Sequence, residues 1–396
     1  MAMLRIVVSG LVATYPLGGV FWDYLQYVLG FHKLGHDVLY LEDCGRWCYD
    51  PQQQTFVEAS ESSAAYLAEH IARLDPELRE RWFFRDVSGN TYGRTWQQVV
   101  EFCRSADLLV NVSNSCLMRD EYFAASRVAF IDSDPMYTQA SVRKPEDGSD
   151  DGGAAEGRME TLREHDVFFT FGENVGDPDC RIPTEPLSWI ATRQPIVLDC
   201  FRDASVPLPA RRRVLTTVAS WEPSEKGPML GAVRYRGKSA EFERFINLPS
   251  SSPLPMELAM SGPAPLERLR EAGWRVFDAY DISADAWQYR DYLANSLGEW
   301  SVAKNAYVLS RSGWFSCRSA CYLALGVPVI VQDTGFSRHI PTGEGILSFS
   351  TLDEARTAIE KLTGDPDRHA RAARELAAEY FASEKVLAQL VKSALV

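Results

Sequence analysis

The amino-acid sequence predicts an α/β protein made of two halves of similar size, each built around a parallel β-sheet. Within residues 5–41, a β-rich run, a glycine loop, a helical pattern and a second β-rich run follow one another. A second series of β-rich runs begins at Arg213, after a proline-containing segment. A chain of 396 residues is also longer than one ordinary hydrophobic core supports, so two domains are expected.

The first predicted unit begins with residues 5–10, RIVVSG, a short apolar run that is typical of a buried strand. A loop containing Gly18 and Gly19 follows. A helix is predicted from about Val20 to Leu34, because its large apolar residues fall on one face. Residues 36–41 form the next predicted strand. A strand, a helix and a strand in this order indicate parallel pairing of the two strands.

The rest of the chain continues this pattern. Strands are predicted at 107–112, 128–131, 167–171, 213–218, 274–277, 306–309 and 327–332. The acidic, glycine-rich residues 143–156 are predicted to form a loop, and charged, alanine-rich helices are predicted from residue 352 onward.

The predicted architecture is two Rossmann-like domains that face each other across a cleft. We place the first domain at residues 1–204 and the second at 205–396, because residues 205–212 are rich in proline and arginine and suit a linker. The last helix is free to pack back on the first domain. A cleft between two domains is a common place for a ligand.

Composition and charge narrow the class of partner. The hydrophobic fraction of 46% and the charged fraction of 24% are typical of a globular protein. No apolar run reaches the roughly 18–20 residues that a membrane-spanning helix needs, and no pair of C-x-x-C units indicates structural zinc. The formal net charge of −13 argues against nucleic acid as a partner. We therefore expect a cytoplasmic protein that binds small molecules, of undetermined oligomeric state.

Residues 310–336, SRSGWFSCRSACYLALGVPVIVQDTGF, form the most informative segment. The pattern predicts a short loop, a buried helix, a Gly-Val-Pro turn, a buried strand and a second polar loop. A helix N-terminus offers free N–H groups to an anion, and open α/β sheets bind ligands beyond the carboxyl ends of their strands. Two such loops side by side suit a phosphate and a polyol, which together indicate a nucleotide-sugar site.

Within this segment, residues 320–329, ACYLALGVPV, resemble a signature of the GT-B glycosyltransferases. Residues 333–335 and 343–345 support the resemblance, and the Gly18-Gly19 loop matches in position the glycine loop of the family's first domain. The resemblance implies that the C-terminal domain binds a nucleotide-sugar donor and that the N-terminal domain binds the acceptor.

The resemblance also implies the reaction, which is sugar transfer from a UDP-, GDP- or dTDP-sugar to a small molecule or glycan. No cofactor and no metal is required. Two positions depart from the family pattern. Many members carry a glutamate where this chain has Cys321, often in contact with the donor ribose, and a glutamate or histidine where it has Gly313. The ribose and sugar contacts are therefore expected to come from other residues.

We predict that the leaving diphosphate binds at the start of the helix in this segment. Arg318 lies in the first turns of that helix, where its charge opposes the helix dipole unless an anion is bound nearby; the alternative is a surface arginine paired with an acid. Lys238 is a second candidate charge, with a solvated lysine as the alternative. The backbone and hydroxyl candidates are Ser312, Gly313, Trp314, Phe315 and Ser316, with Arg311 as a further cation and Gly18 and Gly19 in the first domain.

The other donor contacts are predicted from strand ends in the second domain. Carboxylate and amide groups can make paired hydrogen bonds with sugar hydroxyls, and glycine lets the backbone approach closely. These arguments select Gln332, Asp333, Thr334 and Gly335, for which a simple turn is the alternative. Tyr280 is predicted to stack on the nucleobase, and Trp221 is predicted to line the cleft or to lie in the core.

The catalytic base is predicted among four acidic residues of the first domain. Many inverting members of the family place a histidine near the first glycine loop, but this loop contains none. The candidates are Asp23, Asp132, Asp134 and Glu173. Asp23 has the alternative role of stabilising the helix dipole, and a retaining mechanism would need no such base.

Two other functions remain open from the sequence. A nucleotide-sugar epimerase shares this architecture but needs paired acid and base carboxylates around the sugar. A non-catalytic protein that binds nucleotide sugars would explain the missing donor glutamates. A nicotinamide-dependent dehydrogenase is disfavoured, because no G-x-G-x-x-G follows the first strand.

Overall fold

The computed structural model describes residues 2–143, 153–221 and 227–396. Within these residues the strands form two large sheets and two short hairpins. The strands are β1 (Arg5–Ser9), β2 (Asp37–Glu42), β3 (Cys48–Asp50), β4 (Thr55–Val57), β5 (Trp82–Arg85), β6 (Thr91–Gly93), β7 (Leu108–Val112), β8 (Val128–Asp132), β9 (Val167–Thr170), β10 (Trp189–Ala191), β11 (Arg212–Ser220), β12 (Met229–Leu230), β13 (Val233–Arg234), β14 (Met256–Ser261), β15 (Arg275–Asp278), β16 (Ser296–Ser301), β17 (Val329–Gln332) and β18 (Ile346–Phe349).

The helices alternate with these strands. They are α1 (Gly18–Lys33), α2 (Glu61–Leu74), α3 (Trp96–Arg104), α4 (Tyr137–Ser141), α5 (Ala154–Arg163), α6 (Asp199–Arg202), α7 (Ser239–Phe245), α8 (Leu266–Glu271), α9 (Ala279–Ser283), α10 (Ala286–Ala294), α11 (Asn305–Ser310), α12 (Cys317–Ala324), α13 (Leu352–Gly364), α14 (Pro366–Tyr380) and α15 (Ser383–Ala394). In the described ranges, no helix has both the length and the apolar character needed to cross a membrane.

The first sheet has the strand order β10-β9-β8-β7-β1-β2-β5-β6. Its neighbours pair in parallel except for β5 and β6, which are antiparallel. At its centre Val7 pairs with Leu39 on one side and with Leu109 on the other, and all three side chains are buried. Helices cover both faces of such a sheet, which is why its central strands are apolar throughout.

The second sheet has the order β15-β14-β11-β16-β17-β18, with every pair parallel. In both sheets the direction of strand addition reverses beside the first strand, at β1 and at β11. Open α/β sheets bind ligands outside the carboxyl ends of the strands at this reversal. The two sheets confirm the predicted α/β class with two Rossmann-like units, whereas the domain boundary at residues 204 and 205 stays a prediction.

Helix α1 joins the two halves. It is buried on nearly all sides, because it packs against β2 and also against α10, α12 and α15. The indole Nε1 of Trp22 donates a 2.6 Å hydrogen bond to the carbonyl oxygen of Ala286 in α10. Near the other end of α1, Gly30 leaves room for Leu387 and Ser383 of α15. The chain therefore returns to the first half at its C-terminal helix.

Most predicted strands of both halves are confirmed within two residues at either end. The run at 306–309 is an error, because these residues belong to helix α11; a short apolar run does not distinguish a strand from a buried helix. Strand β16 was missed, since its sequence SLGEWS contains an acid and a glycine. Of the predicted loop at 143–156, residues 144–152 lie outside the described part of the chain, and α5 begins at Ala154.

Candidate functional site

A cleft of about 650 Å³ lies between the two sheets, beyond the reversal points. Loops from both halves form its walls. The first half contributes the segment after β1, the start of α1 and the hairpin of β3 and β4. The second half contributes the ends of β11 and β15 and the start of α12. The predicted residues that line it are Gly19, Asp23, Asp134, Lys238, Tyr280, Trp314, Ser316 and Arg318.

Two helices begin at this cleft without a side-chain cap. The residue before α1 is Leu17 and the residue before α12 is Ser316, and neither side chain caps its helix with a hydrogen bond. Both residues line the cleft. Free N–H groups and the positive ends of two helix dipoles therefore face the same space, which favours an anion there.

Arg318 lies in the wall of the cleft and pairs with Glu299, an acid from β16 that the sequence analysis did not select. Its Nε donates to Oε1 of Glu299 at 2.7 Å, and its Nη1 donates to the carbonyl oxygen of Val218 at 2.9 Å. The arginine side chain is 13% exposed and the glutamate is fully buried. Burial opposes the charged arginine, but Glu299 raises the pKa of Arg318 above its ordinary value. The predicted pairing with an acid is therefore internal rather than at the surface.

Lys304 also lines the cleft and was missed, because it stands in a loop with no recognisable motif. Its ammonium nitrogen lies 2.9 Å from Oδ2 of Asp134 and over the rings of Tyr137 and Tyr307. Trp314 packs on Tyr307 with the ring centroids 4.4 Å apart and the ring planes tilted by 34°. Asp134, a predicted base, is thus placed as the counter-ion of a lysine.

Asp23 lies in the first turns of α1 and lines the cleft. Burial raises the pKa of Asp23 to about 6, and a hydrogen bond from the thiol of Cys317 partly opposes this rise. A hydrogen bond also holds its backbone, because Nε2 of Gln194 donates to the carbonyl oxygen of Asp23 at 2.8 Å. A carboxylate with this pKa is charged at neutral pH and is still basic enough to accept a proton.

Asp132 and Glu173 do not line the cleft. Asp132 is 1% exposed and accepts side-chain hydrogen bonds from Thr138, Gln139 and Thr170. Glu173 makes a two-pronged ion pair with Arg193, at 2.7 and 2.6 Å. Their carboxylates are occupied inside the first half, so the structure gives neither of them a place beside a bound ligand.

The residues of the predicted sugar loop do not line the cleft either. Nε2 of Gln332 donates to Glu241, while Asp333 accepts from the backbone N–H of Gly335 and from the hydroxyl of Ser337. The hydroxyl of Thr334 donates to the carbonyl oxygen of Trp314 at 2.6 Å. These bonds satisfy the polar groups within the second half, so the turn alternative describes this loop.

Gly313 and Gly335 have another role, which is to admit Asn174 of the first half. Both have a positive φ, of 76° and 96°, and a Cβ at either position would lie within 3 Å of Asn174. The amide nitrogen of Asn174 donates to the carbonyl oxygens of Arg311 and Gly335, and its backbone N–H donates to that of Ser312. We call these contacts the Asn174 seam.

Two further predicted residues serve packing. A Cβ on Gly18 would lie 2.6 Å from Cβ of Tyr289 and 3.0 Å from the carbonyl oxygen of Asp285, so Gly18 permits the contact of α1 with α10. Trp221 is 8% exposed and packs on Phe242 in the core of the second half. Its core alternative is the one that the structure shows.

An aromatic cluster at one end of the cleft was also missed. Tyr15, Tyr49 and Phe56 come from the segment after β1 and from the hairpin of β3 and β4. Their ring centroids are 5.5 to 6.1 Å apart, and all three residues line the cleft. No sequence pattern indicates them, because they lie on short, irregular segments.

Comparison with solved structures shows which fold this is. An α-glucosyltransferase in complex with UDP and DNA aligns with a TM-score of 0.62 at 12% identity, covering 99% of this chain and 100% of that chain. AviGT4, involved in avilamycin A biosynthesis, aligns at 0.52 and 12%, covering 99% and 97%. A glycosyltransferase from Rickettsia africae aligns at 0.53 and 11%, covering 100% and 98%. The chain has the GT-B fold of these enzymes. No protein-family model and no curated protein matches the sequence.

These structures correct one prediction. The net charge argues against nucleic acid as a partner, but four of the similar structures are α-glucosyltransferases in complex with DNA. That prediction was therefore wrong. The reason is that net charge sums over the whole protein, whereas the binding of a partner depends on the local electrostatic field.

Proposed function

We propose that the protein is a glycosyltransferase that moves a sugar from a nucleotide-sugar donor to an acceptor in the cleft. One observation carries the proposal. Two uncapped helix N-termini and three cationic side chains, Lys238, Lys304 and Arg318, meet in a single cleft between two Rossmann-like sheets. This arrangement suits a diphosphate, whose charge grows as the glycosidic bond to the donor breaks.

The diphosphate is assigned to the N-terminus of α12. The N–H groups that follow Ser316 supply hydrogen bonds that need no rearrangement, and Lys238 and Lys304 supply positive charge on the lining of the same cleft. Arg318 contributes less net charge, because Glu299 already neutralises it. It keeps its donors at the cleft wall through the ion pair, which holds the guanidinium in one orientation.

Asp23 is assigned as the base. It lies at the start of α1, beside the first residue of α12, and so stands between the proposed diphosphate site and the first half. In an inverting reaction it would accept the proton of the acceptor hydroxyl as that oxygen bonds to the anomeric carbon. Asp132, Glu173 and residues 332–335 have no role in this proposal, since their polar groups are hydrogen-bonded to other residues of the protein.

The similar structures indicate a donor nucleotide and two candidate classes of acceptor. The similar α-glucosyltransferases hold UDP or UDP-glucose, which makes UDP the first donor probe. The acceptor is left open between nucleic acid and small molecules, because those enzymes are in complex with DNA while AviGT4 takes part in avilamycin A biosynthesis.

Calorimetric titration of Lys304→Ala with UDP, GDP and dTDP tests the diphosphate site. Loss of one charge-assisted contact should lower the affinity for the tightest-binding of these ligands about tenfold to a hundredfold. Lys392→Ala is the matched control, because this lysine is exposed on α15 and should leave the affinity unchanged. The proposal fails if the wild-type protein binds none of the three, or if Lys304→Ala binds them equally well. Product analysis with UDP-glucose, DNA and small-molecule acceptors then defines the transfer.

A second candidate is a nucleotide-sugar epimerase, because Asp23 and Asp134 place two carboxylates on the lining of one cleft. Such an enzyme would change the donor sugar with no acceptor present. Incubation of the protein with UDP-sugars alone, followed by analysis of the sugar, separates the two reactions. An epimerised product would favour this candidate over transfer.

A further inference from the structure

The aromatic cluster of Tyr15, Tyr49 and Phe56 presents an open ring face to the cleft. Phe56 is 47% exposed, although it lines a concave site rather than a convex surface. Its neighbours Tyr15 and Tyr49 hold it at centroid distances of 5.9 and 5.5 Å. Rings fixed in this way offer contact area with little loss of side-chain freedom on binding.

The hairpin that carries Tyr49 and Phe56 reaches across to the second half. At its turn, Nε2 of Gln54 donates a 2.9 Å hydrogen bond to Oδ2 of Asp278, at the end of β15. The other oxygen of Asp278 accepts from the backbone N–H of Tyr280, which lines the same end of the cleft. Aromatic residues from both halves therefore meet at the carboxyl end of β15.

The cationic groups of the cleft are held by other residues. Lys304 is held by Asp134 and Tyr307, and Tyr307 packs on Trp314 just before α12. The lining of the cleft thus combines the aromatic residues beside Asp278 with Lys304 and the start of α12. A ligand that carries both a planar ring and an anionic group matches this distribution.

We propose that the hairpin of β3 and β4 stacks the nucleobase of the donor on Phe56 and Tyr49, opposite Tyr280. The first half then helps to bind the donor as well as the acceptor. The inference rests on the proposed function, since it assumes a nucleotide ligand. The base is then held between the two halves. The hydrogen bond from Gln54 to Asp278 places the rings of Tyr49 and Phe56 over the donor.

The test uses Phe56→Leu, which keeps an apolar side chain but removes the ring. The ligands are pyrophosphate and the nucleoside diphosphate, among UDP, GDP and dTDP, that binds the wild-type protein most tightly. Because stacking of a base on an aromatic ring contributes substantially to affinity, Phe56→Leu should weaken the nucleoside diphosphate about tenfold. It should leave pyrophosphate binding unchanged. Trp47→Leu is the control, because Trp47 is 53% exposed just before β3 and does not line the cleft.

The outcomes separate this inference from the proposed function. Equal nucleotide affinity in Phe56→Leu and wild type would overturn the stacking, as would an equal loss of affinity for the nucleotide and for pyrophosphate. If the wild-type protein binds pyrophosphate as tightly as every nucleoside diphosphate, the anion site is supported and the stacking of the base is contradicted. Binding of neither ligand would remove the proposed function and this inference with it.

Discussion

At the scale of single residues, Asp23 and Asp132 have carboxyl groups of similar pKa but different roles. Burial is the main cause that raises the pKa of each carboxyl to about 6. Asp132 receives hydrogen bonds from three side chains and lies in the core. Asp23 receives one, from Cys317, and lines the cleft. The partners of a buried acid, more than its pKa, therefore decide whether it is available for chemistry.

The difference in hydrogen bonding predicts different effects of Asp23→Asn and Asp132→Asn on stability at pH 4, where both carboxyls are protonated. The folded pKa of Asp23, about 6, lies above its ordinary value of 3.8, so folding favours the protonated acid. The destabilisation is absent below about pH 4 and complete above about pH 6. Asp23→Asn should therefore be more stable than wild type at pH 8, by on the order of 2 kcal/mol, and equal to it near pH 4.

Asp132→Asn is the counterpart, because an amide group cannot accept from all three donors. It should lose about 1–3 kcal/mol. Urea unfolding at pH 4, 6 and 8 measures both variants. The interpretation of Asp23 is contradicted if its asparagine variant gains nothing at pH 8. Sugar transfer by the wild-type protein should rise as pH increases through about 6, since Asp23 must be charged to act as the base.

At the scale of elements, the start of α1 depends on two adjacent glycines with different surroundings. A Cβ on Gly18 would meet Tyr289 and the backbone of Asp285 and Ala286 at 2.6 to 3.1 Å. A Cβ on Gly19 would meet only the ring of Tyr289, at 3.7 Å, which is an ordinary contact. The first glycine therefore sets how closely α1 approaches α10, and the second faces the cleft.

Gly18→Ala and Gly19→Ala form a matched pair. The first should destabilise the protein by roughly 1–3 kcal/mol, because backbone atoms of α10 have to move. The second should be neutral or slightly stabilising, since alanine favours a helix over glycine by up to about 1 kcal/mol. Thermal unfolding of both variants at one pH is the measurement. Equal midpoints for the two variants would contradict the close packing of α1 on α10.

At the scale of the whole molecule, the two halves meet at α1 and at the Asn174 seam. Asn174 contacts backbone groups of the loop before α12 and of the loop after β17, and His339 hydrogen-bonds its Oδ1 at 2.7 Å. The glycines that admit Asn174 belong to the loops that the sequence analysis assigned to the donor. The seam therefore fixes these two loops of the second half relative to the first half.

Asn174→Ala should lower the unfolding midpoint, because it removes the hydrogen bonds that the buried Asn174 side chain makes across the seam, at a cost of about 1–3 kcal/mol. Asp177→Asn is the control. It removes an exposed ion pair with Arg338, 3.5 Å long, at the same boundary, and exposed pairs contribute only about 0–1 kcal/mol. Scanning calorimetry compares the two. A smaller loss in Asn174→Ala than in Asp177→Asn would show that the seam does not hold the halves together.

The sequence by itself determined the fold class, the positions of eight of the eighteen described strands and the segment that opens at the cleft, because hydrophobic periodicity and glycine placement are local properties. It also selected Asp23, Lys238, Ser316 and Arg318, which do line the cleft. Only the tertiary structure separated these from Asp132, Glu173 and residues 332–335, since partners such as Thr170 for Asp132, Arg193 for Glu173 and Glu241 for Gln332 are brought to them by the fold. Lys304, Glu299 and the aromatic cluster were likewise decided by which distant segments the fold brings together.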